Sequence, residues 1–191
     1  MRKEKFLFFL ILILFLLVSF CLSLVFLTTK RQPPKITKIS APTLSLTPNK
    51  GTFKSGKNFT VEIIVDSKSY QSSAVGARLN FPPEFLEVLE IVPGNIFGLY
   101  PAKKFDNKIG KINISGLSWN VSLGKPGIPF SGKATFAKIK FLVKPVVKKT
   151  IASVNFYFLN FGNTTDSNIM EAKTAKDVLG KVKNCQFTLI P

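Results

Sequence analysis

Histidine is absent from this 191-residue chain. Without an imidazole there is no Ser-His-Asp or Cys-His nucleophilic centre, and most zinc sites lose their usual ligand. Cysteine is almost absent too. Cys21 lies inside an apolar run and Cys185 in a strand-like segment near the other end. No disulfide framework is available, so the core must hold itself, and Cys185 reads as a buried, inert thiol. Acidic residues are few: 10 Asp and Glu against 27 Lys and Arg, for a formal net charge of +17. That excess invites a nucleic-acid reading, but arginine is scarce, with only Arg2, Arg31 and Arg78. Arginine forks are the usual tool for base and phosphate recognition. The lysines are scattered along the chain, which implies a solvated lysine-rich surface or attraction to anionic lipid or acidic polymer. Glycoside hydrolysis needs only two carboxylates. Glu84, Glu87, Glu90 and Asp106 are the candidates, but the first three share one strand-like segment and read as solvent-facing. Catalysis is not expected.

One long apolar run is present. Phe6 to Leu27 carries no charge, and at about 1.5 Å per residue it is long enough to cross a bilayer core of about 30 Å. A cleaved signal peptide would have a shorter apolar region with a small-residue site directly after it. Here Leu27 is followed by Thr28-Thr29-Lys30-Arg31, and Ala41 lies too far downstream. Cys21 is preceded by Phe20, where a lipoprotein site wants a small residue. The run therefore predicts an uncleaved signal anchor. Residues 1–5 form a short N-terminus, 6–27 the transmembrane helix, 28–42 a polar, proline-containing stalk, and 43–191 the folded domain. Arg2, Lys3 and Lys5 before the run and Lys30, Arg31, Lys35 and Lys38 after it barely discriminate orientation.

Beyond that run, apolar residues recur at period two rather than 3.6. Phe59, Val61, Ile63 and Val65 alternate with Thr60, Glu62, Ile64 and Asp66, the pattern of a half-buried strand. Ala77, Leu79 and Phe81 share one face, with Arg78 and Asn80 on the other. Pro82 and Pro83 cannot donate to a ladder and end that strand. The chain restarts with Phe85, Leu86, Val88, Leu89, Ile91 and Val92, and Pro93-Gly94 closes the segment. Phe136 to Lys144 puts Ala137, Ile139, Phe141 and Val143 inward between Lys138 and Lys140. Leu44 to Thr47 opens the fold, Pro48-Asn49-Lys50-Gly51 supplies a turn, and Gln186 to Ile190 closes the sheet. Asn95 to Gly110 reads as the longest irregular piece, and Gly124 to Gly132 as a glycine- and proline-rich loop. Many short strands separated by Gly, Pro and Asn predict an all-β sandwich.

The order of these blocks resembles the cohesin domain, the β-sandwich receptor module of cellulosome scaffolds. Three stretches carry the likeness: Phe81-Pro82-Pro83, Leu86-Glu87 running to Pro93-Gly94, and Phe136-Ala137-Lys138-Ile139. The resemblance covers residues 42–191. Pro82 replaces an aspartate common in that turn, and Ala74 and Gly76 stand where dockerin-binding relatives carry polar contact residues. The likeness implies a cohesin-like jelly-roll sandwich without catalysis. It also implies work outside the cell, hence a single-pass cell-membrane protein with a cytoplasmic N-terminus and an extracytoplasmic domain. The expected function is carbohydrate binding or polysaccharide-associated adhesion. The alternatives are a docking receptor for dockerin-type modules on secreted enzymes, or a structural envelope protein holding acidic polymer. No nucleic-acid partner is expected.

Sugar recognition uses flat rings that stack on a pyranose, and Trp119, Tyr100 and Tyr70 are the candidates outside the expected core. No catalytic residue and no dedicated cofactor is expected. Asp166, Asn168, Glu171 and Asp177 are oxygen ligands of the kind calcium prefers. They lack the spacing and central glycine of an EF-hand, so a structural calcium stands beside a plainer reading, an Asx-stabilised loop.

Overall fold

Alternation of apolar and polar residues builds the described part of the molecule almost entirely from strands. The computed structural model describes residue 13 and residues 40–191. The expected N-terminus, most of the span over 6–27 and the stalk as far as residue 39 lie outside the described residues. Among the described residues no helix is long and apolar enough to cross a membrane. Ser40–Pro191 forms one compact unit with its own core.

In chain order the strands are β1 (Thr43–Thr47), β2 (Lys50–Lys54), β3 (Asn58–Asp66), β4 (Ser72–Asn80) and β5 (Leu86–Pro93). Then follow β6 (Leu99–Asp106), β7 (Lys111–Leu117), β8 (Trp119–Asn120), β9 (Lys125–Pro126) and β10 (Lys133–Val143). The last are β11 (Thr150–Phe156), β12 (Asn168–Glu171), β13 (Lys181–Lys183) and β14 (Cys185–Ile190). One sheet has the order β13–β1–β3–β10–β5, and the other β2–β14–β11–β4–β7–β6. β12 also pairs with β4, so β11 and β12 share one of its edges. β8 and β9 form a separate two-stranded hairpin. The sheets bury their inner faces on each other as a jelly-roll sandwich.

The expected inward residues are inward, and Phe136, which strict alternation with Ala137 would turn outward, joins them. Val61, Ile63, Val65, Ala77, Leu79, Phe136, Ala137, Ile139, Phe141 and Val143 are all buried. A register shift between Thr135 and Ala137 lets Phe136 and Ala137 both face the core. Two aromatic groups anchor the interior. Phe59 stacks on Phe53 (ring centroids 4.1 Å apart) and meets Phe141 and Phe187. Phe136 meets Phe97 and Tyr100. Such contacts add about 0.5–1.5 kcal/mol each beyond the area they bury.

Two expectations are corrected. Asn95–Gly110 is not irregular, because it contains β6. Leu99-Tyr100-Pro101-Ala102-Lys103-Lys104-Phe105-Asp106 is an edge strand whose exposed residues break the alternation, and Pro101 sits where its register against β7 shifts. Proline is tolerated at such an irregular edge. Pro48-Asn49-Lys50-Gly51 is only half a turn, since Lys50 and Gly51 already pair with Gln186 and Phe187 of β14.

Side chains and glycines close the corners. At the free edge of β5, the Asn107 amide accepts the Val88 N–H (2.9 Å) and donates to the Val88 carbonyl (3.0 Å). Gly94, at the end of the Pro-Gly segment, packs so closely that a Cβ would lie 2.2 Å from the Thr135 carbonyl oxygen. Gly110 has φ +66°, and a Cβ there would meet the Phe81 carbonyl oxygen at 2.0 Å. Only glycine fits either place.

Candidate functional site

Strands β4, β6, β7 and β11 present an outward face whose residues line up across the sheet. Asn113 stands directly opposite Arg78 on one side and Lys104 on the other. In the next row Asn155 faces Asn80, Asn80 faces Lys111, and Lys111 faces Asp106. Tyr157 follows β11 and donates its N–H to the Arg78 carbonyl (2.7 Å). All of these but Asn155 line a shallow concavity of about 570 Å³. The face arises because Arg78, Asn80, Lys111 and Asn113 occupy the polar positions of strands whose alternate residues are buried.

Charge on this face is not neutralised from within the protein. The ion pairs among the described residues are Lys68–Asp66 and Lys138–Glu62, both on β3 and away from this surface. Asp106 is the carboxylate nearest the basic row, and its Oδ1 accepts the N–H groups of Lys108 (2.8 Å) and Ile109 (3.3 Å) to hold a turn. Arg78, Lys104 and Lys111 therefore stand in solvent without an acidic partner among the described residues.

Arg78 is firmly placed. Buried Ser167 accepts its N–H (3.1 Å) and donates to its carbonyl (3.0 Å). Ser167 belongs to a segment built around buried carboxylates. Asp177 accepts the N–H groups of Ile169 (3.0 Å), Leu179 (3.0 Å) and Gly162 (3.1 Å). Asp166 accepts the Leu159 N–H through Oδ2, while its Oδ1 has no partner.

Gly76 gains a neighbour that the sequence order conceals, while Ala74 lies opposite Met170. Asn168 of β12 lies opposite Gly76, and its amide sits where a side chain on Gly76 would be, with Oδ1 3.1 Å from the would-be Cβ.

The aromatic candidates lie elsewhere. Tyr100 is half-buried, its hydroxyl donating to the Phe136 carbonyl (3.1 Å), and burial pushes its phenol up to about 12. Tyr70 is half-buried against the core in the connection between β3 and β4. Trp119 is half-buried on the β8–β9 hairpin and borders a shallow hollow with Val121 and Ile128. None of the three lines the polar concavity.

The calcium candidates make local hydrogen bonds, most of them to the backbone. Asp177 receives three N–H donors, Asn168 donates to the Thr164 and Asp166 carbonyls, and Glu171 accepts from the Thr174 hydroxyl. Among the described residues no three side chains of His, Cys, Asp or Glu converge as a metal site. Cys185 is buried, and burial pushes its thiol up to about 12.

The outward face of β4, β6, β7 and β11 is thus a polar surface on which Arg78, Lys104 and Lys111 have no ion pair among the described residues. The cohesin-domain family model matches residues 42–183, and the chain belongs to the cohesin family, whose domains are non-catalytic protein–protein interaction modules. No curated protein gives a significant match. Among solved structures, the fold is similar to the OlpA cohesin in a type I cohesin–dockerin complex from Clostridium thermocellum. The identity there is 14%, with 79% of this chain and 100% of that one covered and a TM-score of 0.59. It is similar to the third cohesin ScaC in complex with the ScaB dockerin from Acetivibrio cellulolyticus (15% identity, 78% and 97% covered, TM-score 0.58). It is also similar to a non-cellulosomal cohesin from the archaeon Archaeoglobus fulgidus (13%, 80% and 93% covered, TM-score 0.52).

The sequence alone did not single out Arg78, Lys104, Lys111, Asn113 and Tyr157 as a group. One signal was present: Arg78 is the lone arginine of the domain, on the polar side of its strand.

Proposed function

We propose that this protein is a docking receptor whose polar β11–β4–β7–β6 face takes a dockerin-type protein module, held at the cell membrane by the apolar run Phe6–Leu27. The observation that carries the reading is the pair of cross-strand rows with Arg78, Lys104 and Lys111 unpaired. A flat, rigid, amide- and cation-rich surface suits a folded partner that brings carboxylates and hydrogen-bond acceptors, since electrostatic complementarity sets specificity and association rate. Similar cohesins were solved with dockerins bound, which supports this partner class. The order expected from sequence is thus reversed: docking comes before polysaccharide, because Trp119, Tyr100 and Tyr70 do not form one exposed platform on this face.

The test is calorimetric titration of the Ser40–Pro191 domain with a panel of dockerin-type modules. This fragment contains the whole described core, and the match to the OlpA cohesin structure covers all of that chain. Saturable binding that Arg78→Glu abolishes supports the proposal. Retention on insoluble polysaccharide that Trp119→Ala removes, with no dockerin binding, sinks it in favour of sugar recognition. The membrane tether is tested separately. The full chain should stay with membranes in alkaline carbonate, and release there refutes the anchor.

A further inference from the structure

The end of the sandwich where the chain enters has a surface of its own. Thr43 lies opposite both Asp66 and Lys181, and the Pro42 carbonyl accepts the Gly180 N–H (3.0 Å). The Ser67–Gly132 contacts lie at this end. So does the β8–β9 hairpin, because Ser118 just before it donates to the Ser73 carbonyl (2.7 Å) at the start of β4. The hairpin is apolar and bare. Val121 is 62% exposed, Leu123 61%, and Ile128, just beyond β9, 92%. No core function accounts for three uncovered aliphatic side chains on one short projection.

Charge around the projection has one sign. Lys125 stands on the hairpin, and Lys133, Lys173, Lys176 and Lys181 are exposed at the same end. None of them forms an ion pair among the described residues. The carboxylates here are occupied or covered: Asp66 bonds Lys68, Asp177 is buried, and Glu171 is half-buried against Thr174. The exposed carboxylates Glu84, Glu90 and Asp106 lie elsewhere. In the sequence, the uncharged run Phe6–Leu27 precedes this entry point by only a short polar segment.

We infer that this end is a lipid-contact surface, with Val121, Leu123 and Ile128 entering the headgroup boundary of an anionic bilayer and the surrounding lysines engaging its headgroups. Apolar insertion and electrostatic attraction together give reversible interfacial binding. The surface is distinct from the polar face, so it orients the domain without occupying the docking site.

The test is cosedimentation of Ser40–Pro191 with vesicles of phosphatidylcholine, alone or mixed with phosphatidylglycerol. The wild-type domain should bind the mixed vesicles. The combined variant Val121→Asp, Leu123→Asp, Ile128→Asp should partition about tenfold less. Val147→Asp is the control: Val147 is 97% exposed, beside Lys148 and Lys149, at the opposite end. It should bind as wild type. Absence of wild-type binding, an unchanged triple variant, or an equal loss in Val147→Asp overturns the inference. Loss of dockerin capture by the triple variant, with vesicle binding intact, also overturns it and makes the hairpin a protein contact. Failure of the anchor is read independently, as carbonate release of the full chain.

Discussion

The two outward faces of the sandwich treat charge in opposite ways. On the β1–β3–β10–β5 side one lysine is paired with an acid: Lys138 faces Glu62 and reaches it at 2.8 Å, whereas Lys140 only faces Glu90, as Lys111 faces Asp106, without an ion pair. On the β11–β4–β7–β6 side, Arg78 and Lys104 flank an asparagine, and the one acid in the rows binds its own turn. Both faces grow from the same alternation over the same core, so stability does not require the difference. A face that neutralises itself offers little to a charged partner, and one that leaves its cations free has binding energy in reserve.

The strongest way to break this comparison is to invert the open face. Lys104→Glu with Lys111→Glu should weaken a dockerin-type partner about 100-fold or more in calorimetry, while Lys138→Glu with Lys140→Glu should change affinity by no more than about twofold. Equal losses from the two faces would erase the distinction. Next in size is the segment that carries Ser167, the partner of the Arg78 backbone. Asp177→Ala strips three backbone N–H groups of their acceptor and should cost about 3 kcal/mol or more in urea unfolding. A loss under about 1 kcal/mol would show that Asp177 does not hold this side of the sheet.

A smaller effect sharpens the closed face. The Lys138 hydrogen bond, then that of Thr135, holds the Glu62 carboxyl below the ordinary carboxylate range. A depressed carboxyl contributes stability that is full above its unfolded pKa and disappears as pH falls through its folded one. Glu62→Gln should therefore cost about 0.5 kcal/mol at neutral pH, and the gap from wild type should close in acid. A gap that widens on acidification would refute the pairing. Smallest is the thiol. With burial raising Cys185 to about 12, the folded Ser40–Pro191 domain should react with Ellman's reagent about 100-fold more slowly than the unfolded chain. Rapid labelling would mean that β11 and β14 part readily.

Much of the sandwich could be read from period two. Ala77, Leu79 and Phe81 against Arg78 and Asn80, and Ile139 and Phe141 against Lys138 and Lys140, are placed as the alternation demands. β6 escaped because an edge strand with an exposed outer side and an internal proline has no alternation to read. β12 escaped because its four residues lie inside a run of loop formers. The rows of the open face were illegible for a different reason. Which residue of β6 meets which residue of β7 depends on a register shift between Leu99 and Ala102, set by tertiary packing. Asn168 over Gly76 is the same kind of fact, a neighbour that no local pattern announces.

The small clamp of Asn107 on Val88 bears on how copies of this protein live side by side. β5 is the last strand of its sheet and carries half-bare Leu89 and Val92. Left open, such a margin invites the same margin of a neighbouring molecule to zip onto it. One carboxamide fills the vacancy as a single rung of a strand that is not there. A crowd of these domains can then jostle without fusing along that seam.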